Sequence, residues 1–304
     1  MTDLYDHFPE APAFKPLTIE DKPLLDSLFK ANPPKTSEMT FTNLFAWSNT
    51  HPVFLSKVKN TLLFWRGPAE KGVLLMPIGD LDKSGIETAF KWARNMGGPS
   101  EFGRLSFEAA IMLVTADPGL AMIEDRDNAD YVYKAFDLSG LEGRKYDGKR
   151  NLIKKFASEV SAVYKLITLE MIPACLAMQD CWCEVRECSI HADLDAEDQA
   201  VKRIFEHWES LNVIGGALLA EEKIIAFSVA EQLAPSVAVV HLEKADSKYP
   251  GVYQAINQQF ATHALADFEF VNREQDLGVE GLRKAKLSYH PDHLVLKYTV
   301  KRQE

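Results

Sequence analysis

The sequence predicts an α/β protein, of the α+β kind with mixed and mostly antiparallel sheets, built from two copies of one fold. The chain has 304 residues, 46% of them hydrophobic, which suffices for two cores of about 150 residues each. Strand-like and helix-like patterns follow in the same order in both halves. From the hairpin turn to the strand after the next helix there are 44 positions in one half (Asn60 to Arg104) and 46 in the other (Glu222 to Phe268). This matched spacing favours duplication, and a single α+β domain is the alternative.

The first half reads as two helices, three strands, a helix and two further strands. Lys59 and Asn60 separate the first two strands, and Gly97 and Gly98 end the third helix, as glycine often does. In order, the segments are residues 19–32, 37–51, 53–58, 62–67, 72–79, 84–98, 103–110 and 127–138. The second helix begins near Ser37 or Thr40.

The second half repeats this order after one additional strand. Its segments are a strand at 162–168, helices at 169–184 and 196–211, a hairpin at 213–233, a strand at 237–245, a helix at 252–267 and a strand at 268–274. Glycines and charges interrupt the periodic pattern in residues 139–151, which we interpret as the linker. We therefore expect domains at 1–145 and 146–304.

Charge and hydropathy exclude several classes of protein. With 34 Lys and Arg against 44 Asp and Glu, the net charge is −10, so any contact with a nucleic acid must be local. No apolar run approaches the roughly 20 residues of a membrane-spanning helix, and residues 1–14 do not resemble a signal peptide. We expect a cytoplasmic protein without integral membrane association.

Four cysteines lie within fourteen positions, and His191 follows them. They are Cys175, Cys181, Cys183 and Cys188. A metal site is conceivable, but the spacing contains no C-x-x-C pair, and a helix would distribute these thiols around its axis. We expect reduced, structural cysteines and no bound metal, with a metal site as the alternative.

The strongest candidate site follows the strand that begins at Phe268. If that strand continues to Asp276, then Asn272, Glu274 and Asp276 project from one face. Carboxylates grouped in this way can serve as a general base, and these three residues are the catalytic candidates. A solvated edge with weak surface ion pairs is the alternative.

Several cationic and aromatic residues near this strand are candidates for substrate binding. Arg283 and Lys286 lie three positions apart, and hence on one helix face, where they suit an anion. The other candidates around the same strand are Arg273, Tyr289, Lys244 and Tyr249.

A second candidate surface lies in residues 143–155, where six basic residues accompany one acid, Asp147. Lys149, Arg150 and Asn151 are its candidate binding residues. The segment suits a phosphate backbone or an acidic ligand, and an ordinary solvated helix face is an equal alternative.

The order of elements resembles the GNAT superfamily of acyltransferases, in which two neighbouring strands splay apart and the acyl donor enters the gap. In the second half these strands are 237–245 and 268–274, and residues 247–254 (SKYPGVYQ) form the donor loop. CoA-binding members have small residues there because backbone amides must approach the pyrophosphate. Tyr253 is bulky, so the resemblance makes CoA a less suitable donor.

Four stretches resemble bacterial stand-alone proteins related to the C-terminal domain of phosphatidylglycerol lysyltransferase. They are FTNLFAW (41–47), residues 130–156, AMQDCWCE (177–184) and VNREQDLGVEGLRKAKLSYHP (271–291). The resemblance, shared with Fem-type enzymes, implies transfer of an aminoacyl group from aminoacyl-tRNA, bound through local basic patches, to a small-molecule or peptide amine. Asn272 to Gly278 departs from the pattern of the lipid enzymes. The alternatives are a non-catalytic binding protein and a CoA-dependent N-acyltransferase. Neither the donor, the acceptor nor the oligomeric state follows from the sequence.

Overall fold

The computed structural model describes residues 2–303. Its strands are β1 Lys15–Pro16, β2 Val53–Val58, β3 Thr61–Arg66, β4 Val73–Leu74, β5 Glu101–Leu105, β6 Leu120–Lys134, β7 Ala162–Leu166, β8 Ile214–Ala220, β9 Lys223–Ala234, β10 Val237–Ala245, β11 Phe270–Asn272 and β12 His293–Arg302. Its α-helices are α1 Lys22–Ala31, α2 Phe41–Ala46, α3 Lys83–Asn95, α4 Phe107–Ala116, α5 Ala135–Gly140, α6 Asp147–Glu159, α7 Ile172–Arg186, α8 Ala192–Glu206, α9 Trp208–Leu211, α10 Val252–His263 and α11 Glu280–Leu287.

The chain forms two compact units. Unit 1 comprises residues up to Asp130, then Gln275–Gly278 and Val295 onward, and unit 2 comprises Tyr131–Glu274 and Val279–Leu294. The chain therefore leaves unit 1 within β6, returns to it briefly at Gln275–Gly278, and returns again within β12. The predicted domain boundary between residues 145 and 146 was inferred from the repeated order of elements in the sequence, whereas the two units are defined by contacts between residues. The boundary stays a prediction.

Unit 1 contains a sheet in which β1, β2, β3, β4, β5 and β12 are neighbours in that order. β2 and β3 form the predicted hairpin, while β4 and β5 run parallel, with α3 connecting them. The core of this unit is rich in aromatic side chains, including the fully buried Trp65, Trp92, Phe90 and Phe102.

Unit 2 repeats this plan. The order of its strands is β6, β11, β10, β9, β8 and β7, with β8 and β9 as the hairpin and β10 parallel to β11 through helix α10. Two apolar clusters fill it, one around Tyr131, Tyr133 and Phe260 and the other around Phe156 and Ile256. The repeated order of hairpin, strand, helix and parallel strand agrees with the predicted tandem fold.

Caps explain where several elements begin and end. The side chain of Thr40 accepts a hydrogen bond from the backbone N of Asn43, so the second helix starts at Phe41, at one of the two predicted positions. Residues 103–110, predicted as one strand, divide instead at Ser106. Its hydroxyl accepts from the backbone N of Ala109 and begins α4.

A buried ionic cluster lies within unit 1, and the sequence patterns did not indicate it. Nζ of Lys297 lies 2.6 Å from a carboxylate oxygen of Glu38 and 2.6 Å from one of Asp130, and all three side chains are buried. Ser37 donates from its backbone N to Asp130 at 2.8 Å, and Gln275 donates to Glu38 at 2.8 Å. The paired charges and hydrogen bonds compensate for the loss of solvent.

The expectation of four reduced cysteines is wrong for one pair, because Cys183 and Cys188 form a disulfide. α7 ends at Arg186, and Glu187 adopts a left-handed conformation that turns the chain back. The helical geometry used for the prediction therefore does not extend to Cys188. Cys175 is buried and Cys181 is exposed. In the part of the chain that the structure describes, no helix is long and apolar enough to cross a bilayer.

Candidate functional site

The parallel strands β10 and β11 separate after a short paired stretch. Their pairing joins Val237–Val239 to Phe270–Asn272. β10 then continues through Ala245, whereas β11 ends at Asn272. Backbone pairing of the two strands therefore stops at Val239 and Asn272, and we call the position beside residues 240–245, where the resemblance to acyltransferases predicts splayed strands, the gap.

A tight turn directs the chain into this gap. The side-chain oxygen of Asn272 accepts a hydrogen bond from the backbone N of Glu274 at 2.8 Å, and Glu274 has a positive φ of 56°. Tyr131 of β6 holds the turn from the other side, because its N donates to the carbonyl of Glu274 and its carbonyl accepts from Arg273 N. Asn272 thus fixes the turn that presents Arg273 and Glu274.

A histidine flanked by two carboxylates occupies the gap. Nδ1 of His241 on β10 lies 2.8 Å from Glu274, and its Nε2 lies 2.8 Å from Glu231 on β9. The imidazole is 5% exposed and Glu274 is 19% exposed. Both nitrogens face acceptors, so both must carry protons to satisfy them. Burial alone would lower the pKa of His241, but the hydrogen bonds to both carboxylates outweigh it and raise that pKa to about 10.

His241 was not among the sequence candidates. Its partners lie 10 and 33 positions away along the chain, so no local spacing relates them. The available signal was a single histidine in an otherwise apolar stretch, VAVVHLEKA, two positions before Glu243 and hence on the same strand face.

An ion pair fills the neighbouring position on β10. Nη2 of Arg273 lies 3.0 Å from Glu243, and the other oxygen of Glu243 accepts from the side chain of Asn257 on α10 at 3.1 Å. The guanidinium of Arg273 lies 4.9 Å from the ring centre of Tyr289 and 5.7 Å from that of Tyr133. Arg273 and Tyr289, two predicted binding residues, are therefore in contact.

Two predicted lysines join this region. Nζ of Lys286 donates to the carbonyl oxygens of Arg273 and Glu274. Nζ of Lys149 on α6 donates to Ser288 at 2.6 Å and lies 4.0 Å from the ring centre of Tyr289. Burial and then the positive charge of Arg273 hold the pKa of Lys149 below its ordinary value.

Other predicted residues make different contacts. Nζ of Lys244 lies 2.6 Å from Glu197 and 3.7 Å from the ring centre of Trp182. Tyr249 packs against the apolar cluster of unit 2, and Arg283 is partly exposed on α11. On α6, Arg150 donates to the carbonyls of Leu141 and Gly143 and to Asp147, while Asn151 is exposed.

The expectation that Asn272, Glu274 and Asp276 share one strand face is wrong, because the strand ends at Asn272. Asp276 belongs to unit 1, where Arg126 donates to it at 3.3 Å. It also accepts from the backbone N of Gly278 at 2.9 Å. Glu274 therefore contacts His241 without Asp276 as a companion on the strand.

The start of α10, where a CoA-dependent enzyme receives pyrophosphate, is packed against protein. The backbone of Leu152 on α6 lies against Gly251, the residue that precedes the helix. The hydroxyl of Tyr253 accepts a hydrogen bond from Nε1 of Trp182 at 3.1 Å. Gly251 therefore has no room for a side chain on the side that faces α6.

Comparisons with known proteins find chains of similar fold. A conserved protein of unknown function from Bacteroides thetaiotaomicron is 30% identical, with a TM-score of 0.87 over 95% of this chain and 99% of that one. L-PGS from Bacillus licheniformis is 15% identical, with a TM-score of 0.60 over 91% of this chain and 90% of that one. FemX is 8% identical, with a TM-score of 0.52 over 94% and 96% of the two chains, and shares the fold alone.

The search of curated proteins finds no match to this chain. The fold class is the predicted one, with two tandem acyltransferase-like domains. The family model described as phosphatidylglycerol lysyltransferase, C-terminal, matches residues 29–301. The chain therefore belongs to the family of phosphatidylglycerol lysyltransferase C-terminal domains.

Proposed function

We propose that this protein is an aminoacyltransferase that takes an aminoacyl group from aminoacyl-tRNA and transfers it to the amine of a small molecule or peptide. One observation carries the proposal: the carboxylate of Glu274 lies beside the part of β10 that is not paired with β11, and it contacts a buried His241 there. Membership of the lysyltransferase family supports the reaction class.

The chemistry requires a base for the incoming amine. As the amine attacks the ester carbonyl of the donor, a C–N bond forms, the ribose C–O bond breaks, and one proton must leave the nitrogen. Glu274 is the acceptor of that proton in this proposal, since it is partly exposed while His241 is buried behind it. The leaving ribose oxygen takes up a proton in turn.

His241 and Glu231 have positioning roles in this scheme. The imidazolium balances one of the two carboxylates and holds Glu274 toward the gap. Asn272 fixes the turn that carries Glu274, and Asp276 fixes the following turn through Gly278. These residues act through Glu274 rather than on the substrate.

The choice of donor rests on two features of unit 2. Packing of Leu152 against Gly251 disfavours CoA. Helix α6 and the turn before it carry Arg144, Lys145, Lys154 and Lys155, all exposed and suited to the phosphates of tRNA. A tRNA donor further places the reaction in the cytoplasm.

A transfer assay tests the proposal. Purified protein is incubated with pools of tRNA charged with labelled amino acids and with amine acceptors of three kinds: amino acids, dipeptides and aminoalcohols. We expect a labelled, base-stable amide with at least one pool. If no pool yields product and uncharged tRNA does not bind, the proposal is wrong. A melting temperature raised by acetyl-CoA would instead support CoA as the donor.

A non-catalytic binding role is the second candidate. The pairs formed by Arg273 with Glu243 and by His241 with Glu274 fill the gap that a donor must enter. This role predicts that a ligand raises the melting temperature while no product forms in any pool.

A further inference from the structure

Two cations of unit 2 lie against one aromatic ring. Nζ of Lys149 is 4.0 Å from the ring centre of Tyr289, and the guanidinium carbon of Arg273 is 4.9 Å from it. Tyr289 is buried, so neither charge is fully screened by solvent there. Cation–π attraction stabilises each cation singly, but the two cations repel one another.

Hydrogen-bond donors outnumber acceptors at this position. Of the two terminal nitrogens of Arg273, Nη2 donates to Glu243. Nη1 is buried and has no hydrogen-bond partner among the described residues. Glu243 is also shared with Asn257, and Lys149 can donate three hydrogen bonds, of which Ser288 accepts one. A buried arginine nitrogen without an acceptor is costly because it loses its hydrogen bonds to water and gains none from the protein.

The two cations differ in their exposure to solvent. Arg273 is only 14% exposed, whereas Lys149 is partly exposed on α6. Lys149 is therefore the more accessible of the two to a ligand from solvent. The turn that carries Arg273 also carries Glu274, so a group bound here would lie next to the proposed base along the chain.

We infer that Lys149, Arg273 and Tyr289 form an oxyanion-binding site, which takes a phosphate or carboxylate group of one reactant. The donors at this site lack acceptors, and an oxyanion supplies acceptors only. Its negative charge also reduces the repulsion between the two cations. The role of this site rests on the proposed function. In that reaction the site would anchor a reactant that carries an anionic group close to its reacting group.

Direct binding tests the site without any donor or acceptor. The probes are inorganic phosphate and acetate, titrated into the full chain by calorimetry, with ionic strength held constant by sodium chloride. Lys149→Met removes one cation at similar length. Arg273→Lys keeps the charge beside Glu243 but removes the second terminal nitrogen. Lys91→Met, at an exposed position on α3 of unit 1, is the matched control.

We expect the native chain to bind at least one probe, and Lys149→Met and Arg273→Lys each to weaken that binding about tenfold or more, as loss of a charge-assisted hydrogen bond requires. The control should bind like the native chain. Tighter binding of phosphate identifies a phosphoryl group as the ligand, and tighter binding of acetate identifies a carboxylate. Absence of binding, or equal binding by all variants, overturns the inference.

A second measurement covers the case in which Arg273→Lys does not fold. Acylation of Lys149 by an amine-reactive reagent is followed by mass spectrometry with and without the bound probe. We expect the probe to slow labelling of Lys149 several-fold but not of Lys91. Unchanged labelling of Lys149 contradicts the site. Anion binding without aminoacyl transfer would support this site and contradict the proposed function. Aminoacyl transfer without anion binding would support the proposed function and contradict this site.

Discussion

The carbonyl oxygen of Leu152 lies 2.4 Å from the point at which a β-carbon on Gly251 would stand. Gly251 also has a φ of 90°, which side chains other than glycine rarely adopt. Helix α6 therefore packs against the start of α10 through bare backbone. A side chain at the residue before α10 would therefore collide with the backbone of α6.

Gly251→Ala should destabilise the protein because the new methyl group meets the Leu152 backbone and the residue must hold a positive φ. We expect a loss of about 2–3 kcal/mol in the free energy of unfolding, measured by urea denaturation. Gly148→Ala is the matched control: no atom lies within 4 Å of its added β-carbon, and it sits in α6. It should gain about 0.5–1 kcal/mol. Equal effects of the two changes would contradict the close packing.

His241 should make stability depend on pH. Its pKa is raised from 6.5 to about 10 in the folded chain, so its contribution is complete below pH 6.5 and is lost as the pH rises toward 10. Over this window we expect the free energy of unfolding to fall more steeply with pH in the native chain than in His241→Gln, by up to about 1 kcal/mol per pH unit for one bound proton.

The control for this experiment is His263→Gln, at an exposed histidine of unit 2. It should follow the native pH profile. Parallel profiles of His241→Gln and the native chain would show that the imidazole gains no proton affinity from Glu231 and Glu274.

Lys297→Met should be strongly destabilising because it removes the buried cation that Glu38 and Asp130 share. We expect a loss of about 3–5 kcal/mol, measured by urea denaturation at pH 7. Burial by itself would raise the pKa of Glu38, but the charge of Lys297 outweighs it and holds that pKa below its ordinary value. Stability from this pair is therefore present above pH 4.5 and is lost as the pH falls below that value.

Lys301→Met, on the same strand at a partly exposed position, controls for loss of charge and should change stability by less than about 0.5 kcal/mol. Combining Lys297→Met with Glu38→Gln and Asp130→Asn should recover part of the loss, because no unpaired charge remains. A triple variant less stable than Lys297→Met would mean that the carboxylates have other essential partners.

Glu274→Gln should abolish most transfer if Glu274 is the base. The amide oxygen can still accept a hydrogen bond from His241, so the fold should persist while the rate falls about 10²–10⁴-fold. Single-turnover rates with charged tRNA measure the effect. Glu269→Gln, an exposed change just before β11, should retain the native rate. Native rates in both variants would remove Glu274 from the reaction.

The sequence predicted the order of elements well because hairpins, helices and their caps are local features. Ser106 shows where this local information is insufficient. It caps α4, but the apolar residues that follow it fit the pattern of a strand as well as that of a helix, so the cap was not recognised. The contacts within the site were harder to predict from the sequence. Arg273 and Glu274 stood out as charges after a strand, but His241 meets Glu231 and Glu274 only through the pairing of three separate segments.

The cysteines illustrate the same limit. A continuous helix would have kept Cys183 and Cys188 apart, and the left-handed Glu187 that joins them has no signature in its own residue type. A left-handed backbone conformation is tolerated but not preferred by residues such as glutamate, so tertiary packing decides where it occurs.

The return of the chain to unit 1 through Val295 and the residues after it has a consequence for biosynthesis. A ribosome releases the first 130 residues long before strand β12, their neighbour on β5, has been made. The part of unit 1 that precedes Tyr131 therefore lacks the β12 neighbour of its strand β5 until residues 293–302 have been synthesised. The sheet of unit 1 can be completed only after nearly all of unit 2 has left the ribosome.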